Sequence, residues 1–520
     1  MASIIIFYDS LRFVNVYIFL IDSVKWFSYD EINMSEETHE YKGFIGGQYT
    51  PLSQDRIGRI HETATRVLED VGIRVDSEEA RDVLLSNGAK YDEDTWRVKL
   101  SSKLIERSIR STPSRVLLYG RRPEHDIIAE GNRTYFGTGG AAINVIDLDT
   151  GITRSSLLKD IADFARLVET MPNIHFFVRP CSAQDVPPNE MAVNEIYASL
   201  SNTSKHILGS AYTPDGVEDL LSLGSLVAGS REALIEKPFF SIIVGWMDSP
   251  LVFNAPGTDT LLAAVRSGIP VMLSSAPMAG STAPVTLAGT LVQLHAEELA
   301  GIVLTQLAKP GAPVLYGGIP SMADLHHLTF VGGGVESGMM NAAIAQLSHY
   351  INVPNYNSAG ITEAKIPDIQ AVYEKCFAIL QCALSGSNII HHAAGILESL
   401  LTISHEQLII DNEIISMAIR AVRGIEVNED TLAFDVIKEY GSSGNYLFSD
   451  HTVEFMRSEF VLPTLADRNL RQTWEEMGME DIREKARKKA KQLLTENSWE
   501  SEIPPDVDKE IRKQFHIYSK

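Results

Sequence analysis

Eight short apolar segments recur along the middle of the chain, and their spacing is the strongest constraint on its fold. Successive segments begin 31 to 43 residues apart, which leaves room for one helix and two loops, as a βα unit requires. The segments start at Tyr135, Ile174, Lys205, Phe239, Pro270, Pro313, Asn352 and Asn388. Nearly continuous apolar strands are typical of a closed parallel barrel, whose strands are buried on both faces. The sequence therefore predicts an α/β fold, a TIM (β/α)8 barrel.

Helical spacing of apolar residues between these segments supports the barrel. The predicted helices run from Pro188 to Leu200, Asp215 to Val227, Thr258 to Arg266, Val285 to Leu307, Glu336 to Tyr350 and Asp368 to Leu384. We assign the barrel to residues 135–403. A small α+β region at 45–134 precedes it, and an increasingly charged helical region at 404–520 follows it.

The first 44 residues are expected to lie outside the fold. Residues 1–33 are apolar and aromatic, yet their longest uncharged stretch is the nine residues from Phe13 to Ile21. This is shorter than the roughly 18 residues of a transmembrane helix, and no clean signal-peptide cleavage site follows it. The cysteines Cys181, Cys376 and Cys382 are too few and too scattered for a disulfide framework, so we expect a cytoplasmic protein.

The charge balance excludes one class of partner. The chain has 45 Lys and Arg against 68 Asp and Glu, a net charge of −23. Binding to nucleic acid requires a surplus of basic residues to neutralise phosphates, so we do not expect it. We expect no membrane partner either, and we expect a homo-oligomer.

Candidate site residues follow from the barrel, because reactive groups in a TIM barrel lie at the C-terminal ends of the strands. The predicted mouth holds Gly137 to Gly140, Arg179, Ser210, Tyr212, Trp246, Met247, Asp248, Ser274, Ser275, Tyr316, Tyr356, Asn357, His391 and His392. No set of nucleophile, base and orienting residue is recognisable among them. The rings of Trp246, Tyr316 and Tyr356 can bind a quaternary ammonium group by cation–π attraction. Ordinary packing of strand aromatics is the alternative.

The other motifs provide weaker evidence of function. GTGGAA from Gly137 fits a dinucleotide fingerprint formally, but a β-like run follows it where a helix is required, so we favour a tight turn at a strand end. His391 and His392 are adjacent on a predicted strand and are expected to point to opposite faces, which argues against a metal pair. His295 is expected on a helix surface, and no metal site is predicted.

Four further segments are HETATRVLEDVGI from His61, FGTGGAAINV from Phe136, LAGTLVQLHAEELAGIVLTQL from Leu287 and AGITEAKIPDIQAVYEK from Ala359. Together they resemble the trimethylamine methyltransferase family of corrinoid-dependent enzymes. Their order matches the family, and the resemblance extends from about Thr50 to the C-terminal helices. It implies a TIM barrel that transfers a methyl group from a methylated amine to the cobalt of a separate corrinoid protein.

The sequence departs from this family at one position. Trimethylamine-specific members carry pyrrolysine shortly before the AKIPD-type segment, and that position falls on Ile361 here. The branch without pyrrolysine includes enzymes that demethylate quaternary amines, glycine betaine being the best candidate. Trimethylamine or another methylated amine remains an alternative substrate, and a non-catalytic barrel that binds betaine is an alternative function. If the substrate is a betaine, Arg179, His391 or backbone amides around Gly139 are candidate donors to its carboxylate.

The corrinoid is expected on a partner protein. Corrinoid proteins bind cobalt through the His of D-x-H-x-x-G, and the nearest match, DLHHLT from Asp324, has Thr329 in place of the Gly. The loop from Ile319 to Glu336, with Gly332 to Gly334, is either a moving or docking element or a static glycine-rich loop.

Overall fold

Eight parallel strands form a closed barrel in the computed structural model, which describes residues 43–442, 444–496 and 500–519. The strands are β1 Arg133–Phe136, β2 Phe176–Val178, β3 His206–Ser210, β4 Phe240–Ile243, β5 Val271–Met272, β6 Val314–Gly318, β7 Asn355–Ser358 and β8 Ile389–His391. Neighbours pair in chain order from β2 to β8, and β8 pairs with β1. A parallel bridge between Gly137 and Phe176 joins β1 to β2 and closes the ring. The predicted TIM barrel is confirmed.

A helix follows each strand. They are α1 Leu158–Glu169, α2 Pro188–Leu200, α3 Pro214–Ala228, α4 Ala255–Ser267, α5 Leu287–Ala308, α6 Val335–Tyr350, α7 Ile369–Ser385 and α8 His405–Arg423. Polar side chains begin several of them: Asn254 and Asp368 accept hydrogen bonds from the backbone N–H groups of Gly257 and Ala371. The six predicted helices agree with α2 to α7 to within about three residues at each end.

The first βα unit shows why α1 was not predicted. After the glycine-rich turn the chain forms a hairpin, Asn144–Ile146 with Thr153–Ser155, before α1 begins. The segment after GTGGAA is therefore a strand and not a helix, as its β-like pattern indicated.

Helix α5 has the length and apolar composition of a membrane span, but its surroundings are those of a core helix. In its most apolar stretch 72% of the residues are buried, and it packs against β6 and the first N-terminal helix. Glu297 and Glu298, both fully buried, also lie on it and accept hydrogen bonds from neighbouring loops.

The region before the barrel closes its N-terminal end. Its helices are Gln54–Arg66, which continues as a π-helix through Val67–Val71, then Glu78–Ser86 and Ser102–Ser111; its strands are Phe44–Ile45, Arg74–Val75, Lys90–Asp92, Arg97–Lys99, Arg115–Leu118 and Ile127–Glu130. Val116, Leu118 and Ile127 from the last hairpin pack with the side chains inside the barrel. The open end is therefore the C-terminal one.

The predicted N-terminal extension, residues 1–44, lies outside the described residues except at its end. There, Phe44 and Ile45 pair antiparallel with Thr134 and Arg133 of β1. The predicted boundary between barrel and C-terminal region falls just before α8, which packs against α7. The domain boundaries stay a prediction.

The remaining elements lie in loops and in the C-terminal region. They are the strands Met247–Asp248, Val252–Phe253, Met278–Ala279, Ser321–Asp324, Thr329–Val331, Ile396–Leu397 and Thr402–Ser404, the 3-10 turns Pro123–His125, Glu398–Leu400 and Tyr446–Phe448, and the helices Arg231–Glu236, Glu429–Leu432, Phe434–Tyr440, Asp450–Glu459, Arg471–Glu476, Ile482–Glu496 and Pro505–Gln514. Ile482–Glu496 packs on α8 and α1, and Pro505–Gln514 packs on α3.

Side chains alternate between the barrel lumen and the layer under the helices. The lumen holds Tyr135, Phe176, Val178, Leu208, Met272, Leu315, Tyr356 and Ile389. In β6, Leu315 belongs to this lumen cluster, whereas Val314 and Tyr316 pack in the outer core against the helices. This alternation decides which aromatic residues can reach a ligand inside the barrel.

The closure of the barrel gives a first prediction. A Cβ on Gly137 would lie 2.1 Å from the ring of Phe176, so Gly137→Ala should force the bridge between β1 and β2 apart. We expect the free energy of unfolding to fall by about 2–3 kcal/mol, the usual cost of overpacking a core. Gly245→Ala is the matched control, because no atom lies within 4 Å of the added Cβ. Equal stability of the two variants in urea titrations would contradict this account of the closure.

Candidate functional site

The ends of β1, β7 and β8 bring several predicted residues together at the open end. The rings of Tyr356 and His391 are stacked, with centroids 4.0 Å apart, and the Tyr356 hydroxyl lies 2.9 Å from His391 Nδ1. A Cβ on Gly139 would lie 3.0 Å from the ring of His392 and 3.5 Å from His391 Nδ1. Tyr356, His391 and Gly139 therefore form one cluster, as expected for residues at neighbouring strand ends.

The prediction that His391 and His392 point to opposite faces is wrong. Their ring centroids are 3.8 Å apart. The strand ends at His391, and His392 has a φ of 61°, a left-handed conformation that breaks the alternation of side chains. The Ser358 hydroxyl lies 2.9 Å from His392 Nδ1 and supports this position.

Burial keeps this cluster uncharged. It lowers the pKa of His391 well below its usual value, with a further contribution from His392. Burial lowers the pKa of His392 to about 3, and the positive charge of Lys375 makes a smaller contribution in the same direction. Burial also raises the pKa of the Tyr356 phenol well above its usual value. Near pH 7 the cluster therefore presents neutral aromatic rings.

One polar atom in the cluster has no partner. His391 Nε2 is buried and makes no hydrogen bond within the part of the chain that the structure describes. Buried ring nitrogens are normally hydrogen-bonded, so this atom is available to a ligand or to water. Which nitrogen of His391 carries the proton depends on whether Tyr356 donates or accepts in their hydrogen bond.

Ile361 lies in the loop after β7 and is 3% exposed. It faces the glycine-rich segment after β6, since a Cβ on Gly332 would lie 2.6 Å from Ile361 Cγ2. The Glu363 carboxylate accepts hydrogen bonds from the backbone N–H groups of Gly332 and Gly333, at 2.8 and 3.1 Å from the same oxygen. The loops after β6 and β7 are thus joined by the hydrogen bonds of Glu363 beside Ile361.

A buried ion pair holds the loops after β7 and β8. Lys375 Nζ lies 3.2 Å from Asp411 Oδ2, and neither side chain is exposed. Lys375 also donates to the carbonyl oxygens of Gly360 and Ile396, and Asp411 accepts from the N–H of Gly395 at 2.7 Å. Sequence reasoning missed this pair, although a lysine directly before the apolar run 376–380 in the middle of α7 is a recognisable signal.

Arg179, just after β2, is already engaged. Its guanidinium forms an ion pair with Glu195 at 3.2 Å and donates to the hydroxyls of Ser182 and Tyr212, at 2.7 and 2.5 Å. Arg179 is 8% exposed, and its carbon Cζ lies 5.7 Å from the centre of the Tyr212 ring. The positive charge of Arg179 is thus largely balanced by Glu195.

The structure does not assemble the predicted cluster of three aromatic rings. Trp246 and Tyr316 are fully buried in the outer core, whereas Tyr356 belongs to the lumen. Trp246 packs edge-on to Phe253 and lies against Gly301 of α5. No sequence pattern indicates this separation, because both faces of a barrel strand are apolar.

The sequence predicts His295 on the surface of a helix, and this prediction is wrong. The residue is fully buried, with Nδ1 2.8 Å from the Tyr316 hydroxyl and Nε2 2.9 Å from His61 Nδ1. Helix α5 is packed on nearly all sides, so its polar residues turn inward to partners in the layer around the barrel.

The loop from Ile319 to Glu336 forms a hairpin, Ser321–Asp324 with Thr329–Val331. At its tip the Asp324 carboxylate accepts hydrogen bonds from the N–H groups of His326 and His327. His327 is exposed and lies 3.1 Å from Asp324 Oδ2 through its Nδ1. The DLHHLT segment is thus a solvent-exposed turn stabilised by its own aspartate.

The depressed pKa of His392 predicts how stability depends on pH. Between its unfolded value near 6.5 and its folded value of about 3, only the unfolded state binds the proton, so the free energy of unfolding falls as pH falls. His392→Asn should reduce that slope by up to about 1.4 kcal/mol per pH unit. Urea titrations at several pH values between about 5 and 7 measure it.

The exposed His326 provides the control for this experiment. His326→Asn should leave the pH dependence of stability as it is in the wild type, since this residue makes only a local turn contact through its backbone. An unchanged slope in His392→Asn would show that His392 is not held neutral by burial.

Comparisons with known proteins cover most of the chain. Solved structures of dihydropteroate synthase align with it weakly: one with bound product has a TM-score of 0.35 and 14% identity, covering 60% of this chain and 100% of that one. The sequence profile of the family described as trimethylamine methyltransferase matches residues 32–517.

Individual relatives are similar over most of their length. A trimethylamine methyltransferase of Desulfitobacterium hafniense strain DCB-2 is 35% identical, over 89% of this chain and 92% of the relative. A glycine betaine methyltransferase of Desulfitobacterium hafniense strain Y51 is 32% identical over 91% and 96%. A trimethylamine methyltransferase of Methanosarcina barkeri strain Fusaro is 35% identical over 91% and 96%. The chain belongs to the trimethylamine methyltransferase family, and it is a corrinoid-dependent methyltransferase of that family.

Proposed function

We propose that the enzyme removes a methyl group from a quaternary amine, with glycine betaine the best candidate, and passes it to the Co(I) corrinoid of a separate protein. The observation that carries this proposal is the neutral cluster of Tyr356, His391 and His392 at the open end of the barrel. Relatives that act on trimethylamine and on glycine betaine are similarly distant, so the proposal depends on the chemistry of the site.

The chemistry of the methyl donor explains why neutral residues suffice. A quaternary nitrogen already carries its positive charge, so attack by Co(I) on the methyl carbon breaks the carbon–nitrogen bond and leaves the electron pair on nitrogen. The leaving group is a neutral tertiary amine, and no proton is transferred. The protein has to orient the cation and remove water from around it.

The rings of Tyr356 and His391 are suited to that task. The phenol ring of Tyr356 has a face of negative potential that attracts an ammonium group, and this attraction is stronger in a site without water. Because the rings are stacked and joined by a hydrogen bond, their orientation is fixed before a ligand binds. Trp246 and Tyr316 would contribute indirectly, through the walls of the barrel.

Among the candidate donors to a substrate carboxylate, we prefer His391. Its Nε2 is buried without a hydrogen-bond partner among the described residues, and Gly139 allows close approach beside it because a side chain there would meet both histidine rings. Arg179 Nε also lacks such a partner, but Arg179 is less suitable, since Glu195 already balances its charge.

Ile361 supports a substrate other than trimethylamine. At the position where trimethylamine-specific members carry pyrrolysine, this chain has a buried aliphatic side chain with no group able to bind or donate. We place the reaction in the cytoplasm, because the three cysteines are free thiols. The corrinoid would be carried by a partner protein, because the DLHHLT turn has Thr329 where the cobalt-binding motif requires glycine. Thr329 is the first residue of a strand here.

The test follows methylation of the corrinoid. The purified enzyme is mixed with a reduced corrinoid protein from the same organism, and the visible spectrum is recorded with glycine betaine, proline betaine, carnitine or trimethylamine. We expect methylation with a quaternary amine and none with trimethylamine. Equal methylation by trimethylamine would contradict the substrate class, and so would the absence of methylation by every quaternary amine.

His391→Phe, which keeps an aromatic ring and removes both ring nitrogens, refines the test. Loss of a hydrogen bond to a charged group costs roughly 1.5–3 kcal/mol, so KM for glycine betaine should rise at least about tenfold. Tetramethylammonium, which lacks the carboxylate, should be affected much less. His326→Asn is the matched control and should leave both KM values unchanged.

A further inference from the structure

The hydrogen-bond ladder between β5 and β6 is interrupted near the open end of the barrel. On either side of the interruption, Leu273 and Ile319 donate their backbone N–H groups to the opposite strand, at 2.9 and 2.8 Å. Between them, the N–H groups of Ser275 and Gly317 donate to the two carboxylate oxygens of Glu298, at 2.8 and 3.1 Å. A carboxylate from α5 therefore takes the place of a backbone contact between the strands.

The burial of Glu298 requires an explanation. The side chain is fully buried, and burial raises the pKa of its carboxyl well above the usual value, with a smaller contribution from the charge of Glu297. No lysine or arginine among the described residues offsets its charge. A buried acid without a cationic partner is costly, so a residue of this kind indicates a task that an apolar side chain could not perform.

The neighbouring Glu297 binds a different loop in a similar way. It accepts hydrogen bonds from the Ser249 hydroxyl at 2.8 Å and from the Leu251 N–H at 3.1 Å, both in the loop after β4. It also accepts one from Gln293 on the same helix, at 3.0 Å. None of these three partners lies on β6 or β7. The two acids are thus alike in burial and chemistry, and they differ in the strand end that they hold.

Gly317 connects Glu298 to the ring of Tyr356. Gly317 and Tyr356 are paired across β6 and β7. A Cβ on Gly317 would collide with the Tyr356 carbonyl oxygen and would lie 3.0 Å from Tyr356 Cβ. Because no side chain separates them and the interior is closely packed, a displacement of the Gly317 backbone is transmitted to Tyr356. The Tyr356 ring in turn stacks on His391, with centroids 4.0 Å apart.

We propose that Glu298 is a positioning residue for the cation site. Its carboxylate fixes the spacing of the β5 and β6 ends, and that spacing places the Tyr356 ring beside His391 at the open end of the barrel. Glu298 acts from α5, outside the strands, and does not contact the substrate. The proposal rests on the function proposed above, because it assigns Glu298 to the same site.

Binding of tetramethylammonium tests this role without a corrinoid protein. The cation has no carboxylate, so its affinity depends on the aromatic rings. Glu298→Gln keeps the size of the side chain but turns an amide N–H group toward one of the two backbone donors. Isothermal titration calorimetry on the full-length variant should give a Kd about tenfold above that of the wild type, since a cation–π contact in a dry site contributes about that much affinity.

Glu297→Gln is the matched control, because Glu297 is an equally buried acid on the same helix. It should bind tetramethylammonium as the wild type does. Glu298→Asp keeps both acceptor oxygens on a side chain one carbon shorter, so its affinity should lie between those of the wild type and Glu298→Gln. Thermal melting verifies that each variant is folded, and Glu298→Asp replaces Glu298→Gln in the comparison if the latter is not.

The outcomes separate this proposal from the proposed function. Wild-type affinity in a folded Glu298 variant would overturn the positioning role and leave the substrate class intact. An equal loss of affinity in Glu297→Gln would also overturn it, since the effect would then belong to α5 in general. A wild type that binds no quaternary ammonium ion would instead overturn the substrate class, and the positioning role with it.

Discussion

The buried ion pair between Lys375 and Asp411 is the contact on which the open end of the barrel depends. Burial lowers the pKa of the lysine and raises that of the aspartic acid, so removing the two charges from water is costly. Their attraction at 3.2 Å and the hydrogen bonds to Gly360, Ile396 and Gly395 offset that cost. The pair joins α7 and α8 to the loops after β7 and β8. Those loops carry Ile361 and His392.

This arrangement keeps the two full charges out of the proposed substrate site, although the charge of Lys375 still contributes to the lowered pKa of His392. The charged groups of the pair lie behind the loops, whereas the lumen side presents the neutral rings of Tyr356 and His391. A site of this kind suits a ligand that brings its own positive charge, since no buried counter-ion is needed to bind a quaternary nitrogen by ring faces. It also suits a reaction whose leaving group departs without a proton.

The sequence predicted the barrel because the period of its apolar segments is a property of the backbone topology. It could not predict which face of each strand points inward, because both faces are apolar. Tyr316 and Trp246 were therefore grouped with Tyr356, although only Tyr356 lies in the lumen. The paired histidines depend on one left-handed residue, His392, and no local sequence pattern signals that conformation. The chemistry came from the family resemblance, since the residues alone suggested only an aromatic site.

The most direct measurement of the central claim is the pH dependence of methyl transfer in a single turnover, with glycine betaine and a reduced corrinoid protein. The claim is that the enzyme supplies no proton and that His391, His392 and Tyr356 stay neutral. The account predicts a rate constant that is flat between about pH 6 and 8, because these groups titrate outside that range. The account would be contradicted by a rate constant that changes with an apparent pKa inside that range, if this change is absent in His391→Ala or His392→Asn.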